Sequence, residues 1–573
     1  MDGLLGELVV AFEEMGVTIN EPVLDRCVEI CQRYNVLEAE EFVATWMAYS
    51  LSKLQGADPT VAYLDKFERD EYRKKGKENR NSQNDNRKSS LVIYEARNKE
   101  VDVESDSIMK VYDENAAKGK ISWGAKTPDH SRKPKSRSSP QAVFSPASFS
   151  PTITSLSSKY TSRTNSGEVV FPYKNASITS DKDFENFTLE IERLNSVDIP
   201  RYMNFDLVEA LDYADEKIDQ IGNILMKKYH MDEVMPVRYK HPSPFLTIGR
   251  IACDADGRLN SKSAMLEGSR DLSFGETIQL DLGNVEKYSV FPGQIVAVEG
   301  VNITGDKLMA KQIYCDASPD PDPTSSRGPL SLTIAAGPFT QSDSMTYQPL
   351  LDLIEKVSSE EPDLLILTGP FIDSTHPVIL ENSLAETYQE LFRKIVDLIM
   401  RPLQSKKTQV VMVSSYKDCN SQFVYPTPQL PLKDRHYQNL HLLPDPSIFK
   451  IGGVSIGVTS TDILLHIGKE EISSPGYSTD RLSRLSGHIL SQRCFYPLTP
   501  ATDAPVDPSF MEFAKLTIRP DILILPSDLR YFIKDLPGCV VVNPERLAKG
   551  LIGGTYARLN FTSTGLNGNI TRI

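Results

Sequence analysis

The stretch Asp363 to Asp373, which reads Asp-Leu-Leu-Ile-Leu-Thr-Gly-Pro-Phe-Ile-Asp, constrains this chain more than any other. Leu364 to Leu367 form an unbroken apolar run that stops at Gly369-Pro370, the pattern of a strand buried on both faces that ends in a sharp turn. In open α/β sheets ligands bind at that carboxyl end, so chemistry would put acids or histidines just past Thr368. Pro370 and Phe371 stand there instead, and Asp373 is the one acid in the turn.

The pattern around this strand is strand, loop, helix. Leu330 to Ala336 reads as a strand ending at Gly337, and Tyr347 to Val357 and Ser383 to Met400 read as helices. Gln409 to Val413, Val454 to Thr459, Ile522 to Leu525 and Val540 to Asn543 read as further strands. Such alternation implies a layered α/β domain, here over 319–573, with its loops gathered at one edge. The segment before it, 167–318, opens with helical patterns at Phe184 to Val197 and Leu207 to Tyr229. Short strand patterns follow at Pro244 to Ile251, Thr277 to Leu282, Ile295 to Val301 and Met309 to Tyr314. Turn signals such as Asp256-Gly257 and Pro292-Gly293 separate them, which implies a small closed barrel of the OB type. Its strands lack an interleaved aromatic and arginine platform, so protein contact is favoured over single-stranded nucleic acid.

Residues 1–76 show apolar spacing of helical period, for example Leu4, Leu5, Leu8, Phe12 and Met15, and read as a helical docking domain. Helices are also expected at Pro22 to Tyr34, Glu38 to Leu54 and Pro59 to Lys75, the last capped by Asp58. Residues 77–166 are rich in Asn, Ser, Lys, Arg and Pro and form no core pattern, as expected of a disordered linker. Between 120 and 165 eight Lys or Arg face one acid, Asp129, so a net charge of -14 leaves the remaining chain at -21. An acidic body argues against a long nucleic-acid channel. Arg132, Lys133, Lys135 and Arg137 match a nuclear-import run, and a plain solvated charge run is the alternative. Thr127, Ser139, Ser145 and Ser150 each precede a proline and are candidate phosphorylation sites.

At 573 residues the chain needs several cores, and no apolar run of about 18 residues or signal-like start points to a membrane or secretion. The seven cysteines include no Cys-x-x-Cys pair, which favours buried thiols over zinc or disulfides. Cys27 and Cys31, four apart on a helix, are expected in a core.

The order of strands in 319–573 resembles the binuclear metallophosphoesterases, whose loops carry Asp-x-His, Gly-Asp-x-x-Asp, Gly-Asn-His, a lone His and Gly-His-x-His to hold two metals. Here Gly337 and Phe339 replace the first pair, and Pro370 replaces the bridging carboxylate while Asp373 survives. Tyr416 and Lys417 fill the Asn-His loop, and Ser527 and Asp528 the last one. His466 and His488 are the candidates for the lone histidine, and Asp373 and Asp418 are expected to cap turns. No metal and no cofactor is expected.

Longer stretches are more specific. Tyr288-Ser-Val-Phe-Pro-Gly-Gln-Ile-Val-Ala-Val-Glu-Gly300, Ala335-Ala-Gly-Pro-Phe339, Gly457-Val-Thr-Ser-Thr-Asp462, Gln492-Arg-Cys-Phe-Tyr-Pro497, Val541-Val-Asn-Pro-Glu-Arg546 and Gly553-Gly-Thr-Tyr556 resemble the B subunits of DNA polymerase alpha-primase. The resemblance spans essentially the whole chain. It implies a multidomain α+β protein: an N-terminal helical bundle, a disordered linker, an OB-type β-barrel and an inactive, layered α/β calcineurin-like phosphoesterase domain. It also implies a nuclear, non-catalytic scaffold that holds the C-terminal zinc-binding region of the catalytic subunit of DNA polymerase alpha. Primase subunits would be reached through that region, and other replication factors through the N-terminal domain. The competing readings are a residual phosphoesterase using Asp373, Asp418 and His488, and a single-strand-binding barrel.

Overall fold

A computed structural model describes residues 12, 21–34, 42, 43, 46, 49, 50, 59–68, 158–174, 191–194, 202 and 206–573, apart from 255–256, 322–327, 433–436, 475–479 and 563–564. The proline-directed sites Thr127, Ser139, Ser145 and Ser150, the basic run Arg132 to Arg137, and most of the expected helices at 4–15 and 38–54 lie outside the described residues. The chain divides into two compact units, Met1–Glu100 and Val101–Ile573.

In the first unit, helices Glu21–Tyr34 and Val61–Phe67 enclose a core that includes Cys27, Ile30, Cys31, Trp46, Leu64 and Phe67. Trp46 meets Phe67 edge to face at 5.4 Å, a preferred aromatic geometry. Cys27 and Cys31 are buried, and desolvation pushes their thiols up to about 12 and about 11. The second helix is capped by Thr60, whose side chain accepts from the Tyr63 amide, rather than by Asp58. The helix therefore starts at Val61, two residues later than the sequence reading placed it.

The second unit contains the barrel and two stacked sheets. Strands His241–Cys253, Ala264–Glu267, Thr277–Asp281, Lys307–Tyr314 and Ile295–Asn302 close into the barrel in that order. The four-residue strand Ala264–Glu267 carries too short an alternation to be read from sequence. Helix Leu207–Tyr229, capped by Asp206, lies on the barrel, and Gly222 allows the contact: a Cβ there would stand 2.9 Å from Ile248.

A seven-stranded sheet runs Val169–Tyr173, Gly565–Arg572, Thr555–Thr562, Leu330–Ala336, Leu364–Thr368, Gln409–Val413, Leu440–Leu443. A six-stranded sheet runs Phe532–Leu536, Cys539–Asn543, Ile522–Ile524, Val454–Val458, Ser447–Ile451, Glu192–Arg193. Ile334, Ile366 and Val411 of the first meet Ile456, Ile524 and Val542 of the second in one core. Leu365, Leu367 and Met412 point the other way, into a core with helices Gln348–Glu360 and Tyr388–Leu403. Helices Ile463–Glu470 and Arg481–Ser491 cover the outer face of the second sheet. The result is a four-layer α/β/β/α sandwich, and Leu364–Thr368 is buried at every position.

Three segments differ from the sequence expectation. Residues 158–166, expected in the disordered linker 77–166, include helix Ser158–Thr161 and a buried Tyr160 held to the sandwich. Val169–Tyr173, placed by sequence in the barrel segment 167–318, pairs antiparallel with Gly565–Arg572 of the sandwich. Residues 192–193, expected in a helix, are extended and pair with Phe449 and Lys450. Both strands pair with partners far along the chain, which a window of sequence does not register, and at 192–193 that pairing outweighs local helical propensity.

Candidate functional site: the loops beyond the parallel strands

The carboxyl ends of Leu330–Ala336, Leu364–Thr368 and Gln409–Val413 lie side by side in parallel register, and so do those of Val454–Val458, Ile522–Ile524 and Cys539–Asn543. All the expected ligand loops therefore converge, and the side chains they bring are not ligands. Phe339 and Phe371, both buried, stack with centroids 5.2 Å apart and planes at 14°. Gly337 and Gly369 precede cis prolines. A Cβ on Gly337 would lie 2.1 Å from the Pro370 carbonyl oxygen, so the two turns touch through bare backbone. An apolar wedge thus fills the position of the first two ligand pairs.

Asp418 is fully buried, and one carboxyl oxygen accepts from the amides of Phe371 at 2.5 Å and Ile372 at 2.7 Å. Burial pushes its pKa up to about 8 although both amide bonds oppose this. A carboxyl whose pKa is raised by burial and whose oxygen accepts from two amides is a turn clamp and a poor cation ligand. Asp373 accepts from the Thr375 amide at 2.9 Å and hydroxyl at 2.8 Å, an Asx turn. The Tyr416 hydroxyl donates to the Asp503 carbonyl at 3.2 Å, and burial raises its pKa. The Lys417 ammonium lies 6.0 Å from the centre of the Tyr416 ring. Ser527 receives the Leu529 amide on its hydroxyl at 3.1 Å.

Among the converged loops the chain places a cation of its own. The Arg546 guanidinium, nearly buried, reaches Asp528 at 2.7 Å, Asp462 at 3.3 Å and the Gly337 carbonyl at 3.4 Å. Asp462 also accepts the Asp528 amide at 2.7 Å. One side chain therefore ties the loops after three strands to the loop after a fourth. Burial raises the Asp462 pKa, Asp528 raises it further, and Arg546 opposes both. Asn543 completes the arrangement, accepting from Ser527 and Glu545 amides and donating to the Leu529 and Arg530 carbonyls. Buried Asp445 does the same for the loop 459–461, with acceptor distances of 2.6–3.0 Å to Thr459, Ser460 and Thr461. Sequence reasoning missed Asp462 and Arg546 as site residues because it searched for groups that bind a cation and not for the cation itself; both stand at the ends of stretches it had singled out.

The histidines divide. His466 lies beside the loops, its ring 3.2 Å from the Tyr496 hydroxyl, and burial lowers its pKa to about 3, so it is neutral. His488, expected among the degenerate metal positions, is elsewhere. Its Nε2 is 3.0 Å from Glu471 and 3.0 Å from Ser289 of the barrel segment, because helix Arg481–Ser491 faces away from the loops. Among the described residues no three His, Cys, Asp or Glu are grouped to hold a metal ion, and the donor set does not fit a binuclear centre.

His488 marks a seam between barrel and sandwich. Ser289–Val290 pairs antiparallel with Ile472–Ser473. Gln492 accepts from the Ile295 amide at 2.8 Å and donates to its carbonyl at 3.1 Å. Phe291 meets His488 edge to face at 4.9 Å, and a Cβ on Gly293 would strike the Thr499 amide at 2.5 Å. A cleft of about 450 Å³ opens along this seam, with Lys228, Asp316, Arg484, His488, Arg519 and Pro537 among its walls.

Over 96% of its length the chain is 35% identical to the B subunit of DNA polymerase alpha from Rattus norvegicus, covering 95% of that protein. The chain belongs to the family of DNA polymerase alpha B subunits. The corresponding protein of Drosophila melanogaster is 32% identical, with 96% of this chain and 95% of that one covered. Family signatures agree segment by segment: the N-terminal region of the DNA polymerase alpha B subunit over residues 6–74, the OB domain of the same B subunit over 211–316, and the B subunit of DNA polymerases alpha and epsilon over 332–534. A Vps29 structure from Entamoeba histolytica aligns to 42% of this chain and 99% of its own at 11% identity, with a TM-score of 0.20, too low to bear on the fold. As a member of this family the chain is an accessory component of polymerase alpha and not an enzyme. The stretches that carried the resemblance have structural work in the B subunit: 288–300 and 492–497 form the seam, 457–462 and 541–546 tie the loops beyond the parallel strands.

Proposed function

We propose that this chain is a rigid scaffold that holds the C-terminal, zinc-binding region of the polymerase alpha catalytic subunit against its barrel and sandwich, with primase subunits attached through that region. The observation that carries the reading is Arg546: the loops of a metal-dependent centre are held by an internal ion pair, so the surface above them is fixed without bound metal. The seam supports it as well, since barrel and sandwich are joined by strand pairing and buried hydrogen bonds and can present one continuous face. In this reading residues 1–76 recruit other replication factors from the end of the linker 77–166, the import run directs the chain to the nucleus, and the linker phosphosites regulate it. Residues 158–174 and 191–194 are then counted with the domain 319–573, so the linker shortens to 77–157 and the barrel segment 167–318 is reduced accordingly.

The test is co-purification of the full chain with the catalytic subunit at equal stoichiometry, together with elemental analysis. A chain that stays monodisperse and unbound in the presence of the catalytic subunit refutes the scaffold. Stoichiometric Mn, Zn or Fe with phosphoesterase turnover would reinstate the enzyme.

A further inference from the structure

The segment that leads from the linker into the sandwich is strapped down at residues 158–174. Tyr160 is buried, and its hydroxyl donates to Asp352 at 2.7 Å. The Arg163 guanidinium stacks 3.7 Å from that ring, pairs with Asp352 and donates to the Ile573 carbonyl at 3.0 Å. A turn follows, with the Glu168 amide donating to the Asn165 carbonyl at 3.2 Å and Gly167 at φ +84°, where only glycine is unstrained. Ser166 is the exposed residue at its tip.

The Ser166 hydroxyl is 3.3 Å from the Lys356 ammonium on helix Gln348–Glu360. Among the described residues no carboxylate is within ion-pair distance of Lys356; its other neighbour is the Tyr556 ring at 5.6 Å. The carboxylates nearby are already taken: Asp352 by Arg163, Glu360 by Arg558 at 2.9 Å, and Glu168 by Arg572 at 3.7 Å. Four cations thus meet three acids, and the surplus charge points at a serine hydroxyl. Burial, and then repulsion from Arg163, lowers the Lys356 pKa, as expected of a cation that lacks its anion.

We propose that Ser166 is a phosphorylation site and that Lys356 is the counter-ion built to receive the phosphate. A phosphoserine brings nearly two negative charges and three acceptor oxygens to a place that now offers one neutral oxygen. In the transfer, the Ser166 oxygen attacks the terminal phosphorus of a nucleoside triphosphate held by a protein kinase. The bond from that phosphorus to the bridging oxygen breaks, the nucleoside diphosphate leaves, and the hydroxyl proton passes to the kinase's general base. Gly167 follows Ser166, so the kinase is of a different class from the proline-directed ones expected at Thr127, Ser139, Ser145 and Ser150. The modification tightens the strap at the point where the tether meets the body.

Two measurements on the full chain decide it. Phosphopeptide mapping of the protein purified from its own cells through the cell cycle should find phosphate on Ser166; its absence at every stage overturns the proposal. With phosphoserine installed at 166, a 31P NMR titration should place the second phosphate ionisation at least about half a unit below its ordinary value near 6. Lys356→Met should return it to that value, while the unmodified Ser166→Ala chain keeps the parent's thermal transition and so controls for folding. A titration at the ordinary value that Lys356→Met leaves unmoved removes the counter-ion.

Discussion

Replacing Arg546 with methionine tests whether an internal cation holds the loop cluster together. The substitution keeps much of the side-chain volume and removes the charge from beside Asp462, whose side chain is 2% exposed, and Asp528, at 28% exposed. Asp528 can turn toward water, so the cost falls on Asp462. Removing one partner of a buried pair costs about 3–5 kcal/mol, because the other charge is left in a low-dielectric setting. At about 2–4 °C per kcal/mol for a domain of 150–250 residues, the sandwich should melt on the order of 10 °C earlier. A chain of several domains does not unfold in one step, so the readout is hydrogen exchange at residues 525–547 followed along a temperature ramp. The pH dependence has a definite sign. Without Arg546, burial and the neighbouring Asp528 lose their main opponent and raise the folded pKa of Asp462 further above the ordinary 3.8. Stability is then lost as pH rises from about 4 upward, and the deficit is larger at pH 8 than at pH 5. Asp462→Asn added to Arg546→Met should restore more than half of the loss. A single variant within about 1 kcal/mol of the parent at both pH values would refute the role given to Arg546.

Burial raises the Glu471 pKa, but hydrogen bonds from His488 and Arg484 outweigh it and hold the group down at about 2. The seam therefore keeps this contribution above pH about 4.5 and loses it as pH falls toward 2, visible as faster hydrogen exchange at 289–295. Asp418→Asn should cost under about 1 kcal/mol in thermal unfolding, because the amide oxygen still accepts from Phe371 and Ile372, whereas Asp418→Ala orphans both amides and costs about 1–3 kcal/mol. The same Asn variant should flatten the parent's loss of stability between pH about 4 and about 8, the window set by a raised folded pKa. Gly337→Ala forces a methyl to 2.1 Å from the Pro370 carbonyl, and a drop of about 1–3 kcal/mol in stability is expected by thermal unfolding.

What was readable from the sequence follows from where the physical signal lies. Leu364 to Leu367 and Gln409 to Val413 announce themselves because a strand covered on both faces must be apolar throughout. The closing hairpin Thr555–Thr562 and Gly565–Arg572 alternates with Asn, Arg and Thr and gave no comparable run, although it completes the larger sheet. That Gly337, Pro370 and Ser527 offer no metal-binding side chain was legible residue by residue. The compensation was not, because Arg546 acts on carboxylates that come from loops 84 and 18 residues away. His488 was misplaced for a related reason: a lone histidine carries no direction, and its helix turns it toward the barrel.

The strand Val169–Tyr173 bears on how this protein can be cut. It pairs along the outer side of Gly565–Arg572, whose amides and carbonyls would otherwise form an open edge of the seven-stranded sheet. Open edges recruit other chains by strand addition. Pro172 sits in the covering strand, at a position where an amide is dispensable only on a sheet's border, and so blunts the new edge. A fragment that begins at the barrel, near residue 206, therefore bares residues 568–571 of that strand and should self-associate, whereas one that begins near residue 158 carries its own cover and should remain monomeric.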